Sequence, residues 1–278
     1  MNFDPRLTPA RADLAAAFLR GRVEAARFVE PAPARLAVPS AALRRRPQAA
    51  AAWDTEALFG EAVAVYEERD GWAWGQLERD GYVGYLERAA LGPALATTHR
   101  VTALRTHVYP GANMKLPHLF ALSLGAEVAV ASQTGDFLLD TEGRAYWARH
   151  LAALDAAPAP DFVAVAEMFA CSPYLWGGRT SGGIDCSGLA QAALRAAGVA
   201  APRDSDMQAK MGEPLAAGAT LRRGDLVFWK GHIGLMRDAA TLLHANGHHM
   251  AVVSEPLAEA QARIAASGGG EIASIRRL

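Results

Sequence analysis

Asp185-Cys186-Ser187-Gly188-Leu189 places a thiol where a glycine-rich segment gives way to a helix-forming one, and two histidines, His232 and His244, follow in a β-rich stretch. A thiol, an imidazole that can take its proton and a second polar group that orients the imidazole are the parts needed for nucleophilic acyl transfer. Tyr174 to Gly183 is too rich in glycine for regular structure, whereas Leu189 to Ala197 consists of strong helix formers ending at Gly198. Cys186 is therefore expected in the first turn of a helix. There, unpaired backbone N–H groups and the positive end of the helix dipole favour a thiolate and lower the thiol pKa. The other cysteine, Cys171, reads as a buried, inert thiol.

Leu221 to Met236 alternates in a β-rich pattern, Arg237-Asp238-Ala239 reads as a turn, and Thr241 to Ala245 reads as the returning strand. With Asp238 at the centre of the hairpin, His232 and His244 lie opposite each other on one face, where one imidazole can hold the tautomer of the other. A single histidine is more often a satisfied core or surface residue. The pairing, downstream of a helix-starting cysteine, is what favours catalysis. His248 and His249 fall in the loop after Gly247 and read as surface residues.

Five blocks stand in order: Tyr174-x-Trp-Gly-Gly, Asp185-Cys186-Ser187-Gly188, Pro202-Arg203-Asp204-Ser205, Arg223-Gly224-Asp225-Leu226-Val227-Phe228 and His232-Ile-Gly. Together they resemble the NlpC-type cysteine peptidases that cut cell-wall peptides, from about Asp161 to the C-terminus. The resemblance implies an α+β, papain-like catalytic domain with Cys186 as nucleophile, His232 as general base and His244 as the third polar member. It implies no cofactor, and no second Cys or His lies at zinc-ligand spacing near Cys186.

The rest of the chain must position these groups. With 278 residues, 51% of them hydrophobic, it is long enough for two or three small domains. A formal net charge of −1 leaves no electrostatic footprint for nucleic acid, and no apolar run approaches the length of a membrane span. Ala10 to Phe28 is Ala-rich and helix-like, then the texture turns to β. Glu61 to Tyr66, Trp72 to Leu77 and Tyr82 to Leu86 read as short strands separated by Asp70-Gly71 and Asp80-Gly81. The pattern recurs: Leu58 to Val63 is echoed by Leu122 to Val128, and Gly71 and Gly81 by Gly135 and Gly143, at separations of 62 to 65 residues. This predicts a duplicated domain, and both copies resemble bacterial SH3-type barrels. Ala156-Ala-Pro-Ala-Pro160 reads as a linker, and Asp161 as the cap of a helix whose Phe162, Val165 and Phe169 share a face. The expected order is a helical extension (1–37), a first SH3-type barrel (38–92), a second (93–155) and the catalytic domain (156–278).

Two SH3-type domains together with Asp204-Ser205 most resemble the γ-D-glutamyl-L-diamino acid endopeptidases that recycle murein peptides. The implied partner is a small peptide such as L-Ala-γ-D-Glu-diaminopimelate, with its free amine in a closed pocket. No obligate protein partner, nucleic acid or membrane is implied. A buried ammonium needs carboxylate and hydroxyl partners. The resemblance assigns that role to Asp204 and Ser205, with Glu61 and Tyr82 from the first barrel, and places Tyr174, Asp185 and Ser187 near the substrate. Glu56 and Tyr85 are alternatives to Glu61 and Tyr82. Asp204 or Ser205 could instead cap a short helix through Met207 and Gln208, and the two tyrosines could be barrel-core or surface aromatics. Trp72 and Trp74 read as packing residues, and Trp176 as packing beside the catalytic loop. The start of the chain lacks the basic-then-apolar pattern of a secretory leader, and two cysteines suit a reducing compartment, so a cytoplasmic location is expected. Two other functions are compatible with these parts: a thiol acyltransferase or amidase on the same core, and a wall-binding module.

Overall fold

Between Ala10 and Phe28 local propensity favours a helix, and the computed structural model, which describes residues 3–216 and 218–278, shows a different outcome. Leu14, Ala16 and Leu19 bury against Ala64, Tyr66 and Trp74 of the adjoining β-structure. Only one 3-10 turn, Ala17–Leu19, forms, the chain bends at Gly21 (φ +77°), and Ala15–Ala16 pairs in parallel with Phe28–Val29. Packing has overridden the weak preference of alanine. Residues 1–37 are therefore not a helical extension. The strand Ala32–Leu36 pairs with Ala62–Arg69 and Leu91–Pro93 inside the first barrel, so that barrel begins upstream of residue 38.

The chain divides into two compact units after Ala156. In the first unit, a seven-stranded sheet runs in the order Trp53–Leu58, Ser40–Arg44, Val83–Glu87, Trp72–Leu77, Ala62–Arg69, Ala32–Leu36, Leu91–Pro93. Its inward residues, among them Leu36, Leu43, Val63, Leu77 and Leu86, form one core, and the Tyr82 ring lies in it. A second, smaller barrel follows from His99–Val101 to Leu151–Ala153. Phe59, from the first barrel's sequence, completes the second barrel's core beside Val108, Leu122 and Tyr146. The repeat seen in the sequence is also a repeat of backbone: Gly71 and Gly81 have φ of +80° and +78°, and Gly135 and Gly143 have +55° and +78°. Each barrel also closes through a 3-10 turn, Arg88–Ala90 or Ala148–His150, just before its last strand.

The second unit is α+β. Asp161 caps α1 (Phe162–Glu167), accepting from the Val163 and Ala164 N–H groups at 2.9 and 3.3 Å. Arg223 ties both ends of that helix, bonding Asp161 at 2.8 Å and Glu167 at 2.9 and 3.0 Å. The longer α2 (Cys186–Ala196) ends at Gly198, φ +77°, where the Val199 N–H returns to the Leu194 carbonyl at 2.9 Å. After α3 (Ser205–Gln208), six antiparallel strands are ordered Glu213–Pro214, Ser274–Arg277, Leu226–Trp229, His232–Met236, Thr241–Asn246, Ala251–Pro256. α4 (Leu257–Ala266) covers one face of this sheet, burying Ala260 against Val227, Trp229, Met236 and Leu242. Among the described residues no helix is long and apolar enough to cross a membrane.

Candidate active site

The His232 strand pairs with the His244 strand through Leu235↔Leu243 and Met236↔Leu242. That register centres the hairpin on Ala239, one residue beyond the expected Asp238. Asp238 opens the turn instead, its Oδ1 accepting from the Ala240 and Thr241 N–H groups at 2.8 Å each. Continuing the register puts Gly234, not His232, opposite His244. The slip is two residues in pairing, so the side-chain face is preserved. His232 and His244 become diagonal neighbours, His232 Nε2 lying 2.8 Å from His244 Nδ1 with ring centroids 5.0 Å apart.

Cys186 is the first residue of α2, as its sequence context implies, and Asp185 is the N-cap. The Asp185 carboxylate accepts from the Gly188 N–H at 2.7 Å and from the Gly177 N–H at 2.9 Å, which binds the glycine loop to the helix start. The glycines let backbones touch: a Cβ on Gly188 would lie 2.5 Å from the Gly178 carbonyl oxygen, and one on Gly178 would lie 2.4 Å from that of Gly183. Beneath this turn Arg203, 1% exposed, bonds both Asp185 oxygens at 3.0 and 2.7 Å and the Ser187 hydroxyl at 2.8 Å. The Ile233 N–H bonds to the Cys186 sulfur, which brings the thiol beside the residue that follows His232.

The expected lowering of the thiol pKa does not occur in the free protein. Burial, and after it the Asp185 carboxylate, push the Cys186 thiol up to about 12. The Ile233 and Ser187 N–H groups act in the opposite direction but are outweighed. Burial, then His244 and Arg263, push the His232 imidazole down to about 3, and burial also lowers His244. Both partners are thus neutral near pH 7. Alkylation of Cys186 by iodoacetamide, followed by peptide mass spectrometry, is expected to accelerate about tenfold per pH unit from about pH 6 to about pH 9.5. A rate already flat near neutrality would mean that a thiolate exists at rest.

The other sequence-predicted residues separate into groups. Tyr174 is half-buried, and its hydroxyl pKa is raised by burial and then by Cys186 and Asp185, which marks it as their neighbour. Asp185 and Ser187 turn inward, to the loop and to Arg203. Asp204 is the N-cap residue of α3 by position, yet its side chain makes no capping hydrogen bond, which removes the capping alternative for that residue. Gln208 of α3 donates to the Ser187 carbonyl at 2.9 Å and ties this segment to the start of α2. Glu61 and Tyr82 belong to the first barrel. The Glu61 carboxylate accepts from the Leu58 N–H at 2.9 Å and lies 3.6 Å from Arg79 Nε, and the Tyr82 ring fills the core. Of their alternatives, Glu56 is buried, and the Tyr85 hydroxyl accepts from Arg11 at 2.7 Å.

Two expectations are reversed. Cys171 is exposed, at a loop position with φ +65°, while Cys186 is buried. Trp176, expected to pack beside the glycine loop, is instead 66% exposed. Sequence reasoning also passed over Arg203, Asn246, Glu255 and Arg263. Arg203 lies inside the Pro202-Arg203-Asp204-Ser205 block, but its partner is 18 residues away. Glu255 carried no signal beyond its place in a β-rich stretch.

With this geometry the fold is that of a papain-like NlpC/P60 domain preceded by SH3-type barrels: residues 171–264 match the NlpC/P60 family, and residues 43–91 match the bacterial dipeptidyl-peptidase SH3 domain. Among similar proteins, a γ-D-glutamyl-L-lysine dipeptidyl-peptidase of Bacillus subtilis is 28% identical over 220 residues, covering 69% of this chain and 71% of that one. Its namesake from Bacillus cereus is 25% identical over 203 residues, covering 63% of this chain and 60% of its own length. The crystal structure of an NlpC/P60 family protein from Bacillus cereus superposes with a TM-score of 0.73 at 20% identity, covering 88% of this chain and 99% of that one.

Proposed function

We propose that this protein is a cysteine peptidase that hydrolyses the γ-D-glutamyl–diamino acid bond of cell-wall peptides bearing a free N-terminal L-Ala, in peptide recycling in the cytoplasm. The observation that carries the reading is the Cys186–His232–His244 arrangement: a thiol at a helix start, held by the Ile233 N–H, with the two imidazoles 2.8 Å apart. The names of the two Bacillus relatives support the bond class.

Cys186 attacks the γ-carbonyl of D-Glu as its proton passes to His232. Backbone N–H groups at the start of α2 stabilise the oxyanion. His232 then returns the proton to the leaving amine of the diamino acid, leaving an acyl-enzyme thioester. In the second half His232 takes a proton from water, hydroxide displaces the thiolate, and Cys186 recovers its proton. His244 holds His232 in position throughout. Asp204 and Ser205, next to Arg203 in sequence, are the groups assigned to the substrate ammonium.

The test is mass spectrometry of products from L-Ala-γ-D-Glu-diaminopimelate and its N-acetylated twin. Release of L-Ala-D-Glu from the free peptide is expected, with cleavage of the acetylated one slower by about 100-fold or more, because a site built for an ammonium leaves its carboxylate unpaired against an amide. Equal cleavage of both would remove amine recognition, and cleavage of neither would favour an acyltransferase or a binding module.

A further inference from the structure

Which nitrogen of His232 can receive a proton depends on His244, and the tautomer of His244 depends on the next strand. Leu242 pairs with Glu255 and His244 with Val253, so Glu255 lies two residues from the position opposite His244, on the same face. His232 has the matching diagonal relation on the other side. The three side chains therefore form a row across three adjacent strands: His232 Nε2 to His244 Nδ1 at 2.8 Å, and His244 Nε2 to Glu255 Oε1 at 2.7 Å. Arg263, from α4 above this face, bonds the same Glu255 oxygen.

Two residues compete for His244 Nε2. Asn246 Nδ2 lies 3.0 Å from it, and the Asn246 amide is oriented by its Oδ1, which accepts from the His249 N–H at 2.9 Å. An amide N–H₂ can only donate, so Asn246 favours an unprotonated Nε2. A carboxylate ion-paired to arginine can only accept, so Glu255 requires a proton on Nε2. The charge-assisted and shorter contact wins. With His244 protonated on Nε2, its Nδ1 is the acceptor, His232 must donate from Nε2, and His232 Nδ1 keeps its lone pair.

We propose that Glu255 is a positioning residue that selects the tautomer of His244 and, through it, that of His232, keeping His232 Nδ1 free for the Cys186 thiol proton. The proposal deepens the peptidase reading and rests on its assignment of His232 as base. Without Glu255, Asn246 donates to His244 Nε2 and the proton of His244 moves to Nδ1. That N–H then points at His232 Nε2, which must become an acceptor, and the His232 proton moves to Nδ1. The base is lost though every ring stays in place.

The test combines nitrogen-15 NMR of the imidazole rings, read near neutral pH on the substrate-free full chain, with kinetics on the free peptide. Glu255→Ala is expected to move the His232 proton from Nε2 to Nδ1 and to lower kcat by roughly 10²- to 10⁴-fold while KM stays within about threefold, the upper figure being the loss a wrong tautomer causes in a catalytic triad. Adding Asn246→Ala to Glu255→Ala is expected to recover part of that loss, because the competing donor is gone. Glu255→Met, which keeps the side-chain length but carries no acceptor for His244 Nε2, serves as a second variant should the alanine variant melt early. Unchanged ring tautomers in the variants, or a double variant no faster than Glu255→Ala, would overturn the proposal. The ring signals need no substrate, so a wild-type protein that cleaves nothing would remove the peptidase reading while the tautomers still decide this one.

Discussion

Replacing Cys186 by alanine is expected to lower kcat/KM for the free murein peptide by about 10⁴-fold or more, because the proposed acyl-enzyme forms on its sulfur. His232→Ala is expected to cost a similar factor. The double variant should be little worse than either single one, since a nucleophile without its base and a base without its nucleophile fail at the same step. The fold should survive: Cys186 starts α2, but the cap comes from Asp185, and the helix is anchored by the buried Leu189, Ala193 and Leu194. Cys171→Ala, at an exposed loop position, is the matching control and should leave the rate unchanged. Steady-state kinetics by product mass spectrometry, with a melting curve for each variant, checks all four. A Cys186→Ala protein retaining a tenth of the wild-type rate would require a different nucleophile.

Arg203→Met is expected to be the most destabilising single change in the second unit, by about 3–5 kcal/mol. Arg203 is 1% exposed and faces an Asp185 side chain that is 9% exposed, and it bonds both carboxylate oxygens. Removing the guanidinium leaves a carboxylate in a buried turn with only backbone donors and the Ser187 hydroxyl. The pair is not itself a large source of stability, since ion desolvation offsets most of its attraction; the damage comes from breaking it. A second change follows from the same argument: Asp185→Asn in the Arg203→Met background should restore part of the stability and little of the activity, because the turn that presents Cys186 is still altered. Urea denaturation of the four proteins gives the coupling directly. Independent, additive losses would mean that the two residues do not act as a pair.

The short-range features of this structure were legible because they are settled within a few residues. Asp161 caps its helix where the sequence places it, Cys186 begins α2, and Gly198 ends it. The turn dipeptides Asp70-Gly71 and Asp80-Gly81 separate strands that run close to the expected limits. Turn geometry was legible only to one residue: the hairpin after Met236 centres on Ala239 because the Asp238 side chain takes two N–H groups of its own turn. The pairing of His232 with His244 tolerated that error because a strand alternates faces with a period of two.

From its residues alone, then, the sequence determined which thiol stands at a helix start, which histidines share a face and where the barrels repeat, since caps, turns and alternation are local properties. Tertiary structure decided the rest. Burial, not the helix dipole, sets the protonation of Cys186 and His232. Arg203 reaches Asp185 across 18 residues, and Glu255 reaches His244 across a strand pairing of 11. The alanines near the N-terminus lie along Ala64, Tyr66 and Trp74 instead of coiling into a helix. Desolvation and ion pairing depend on which distant groups close over a site, and that is known only once the chain is folded.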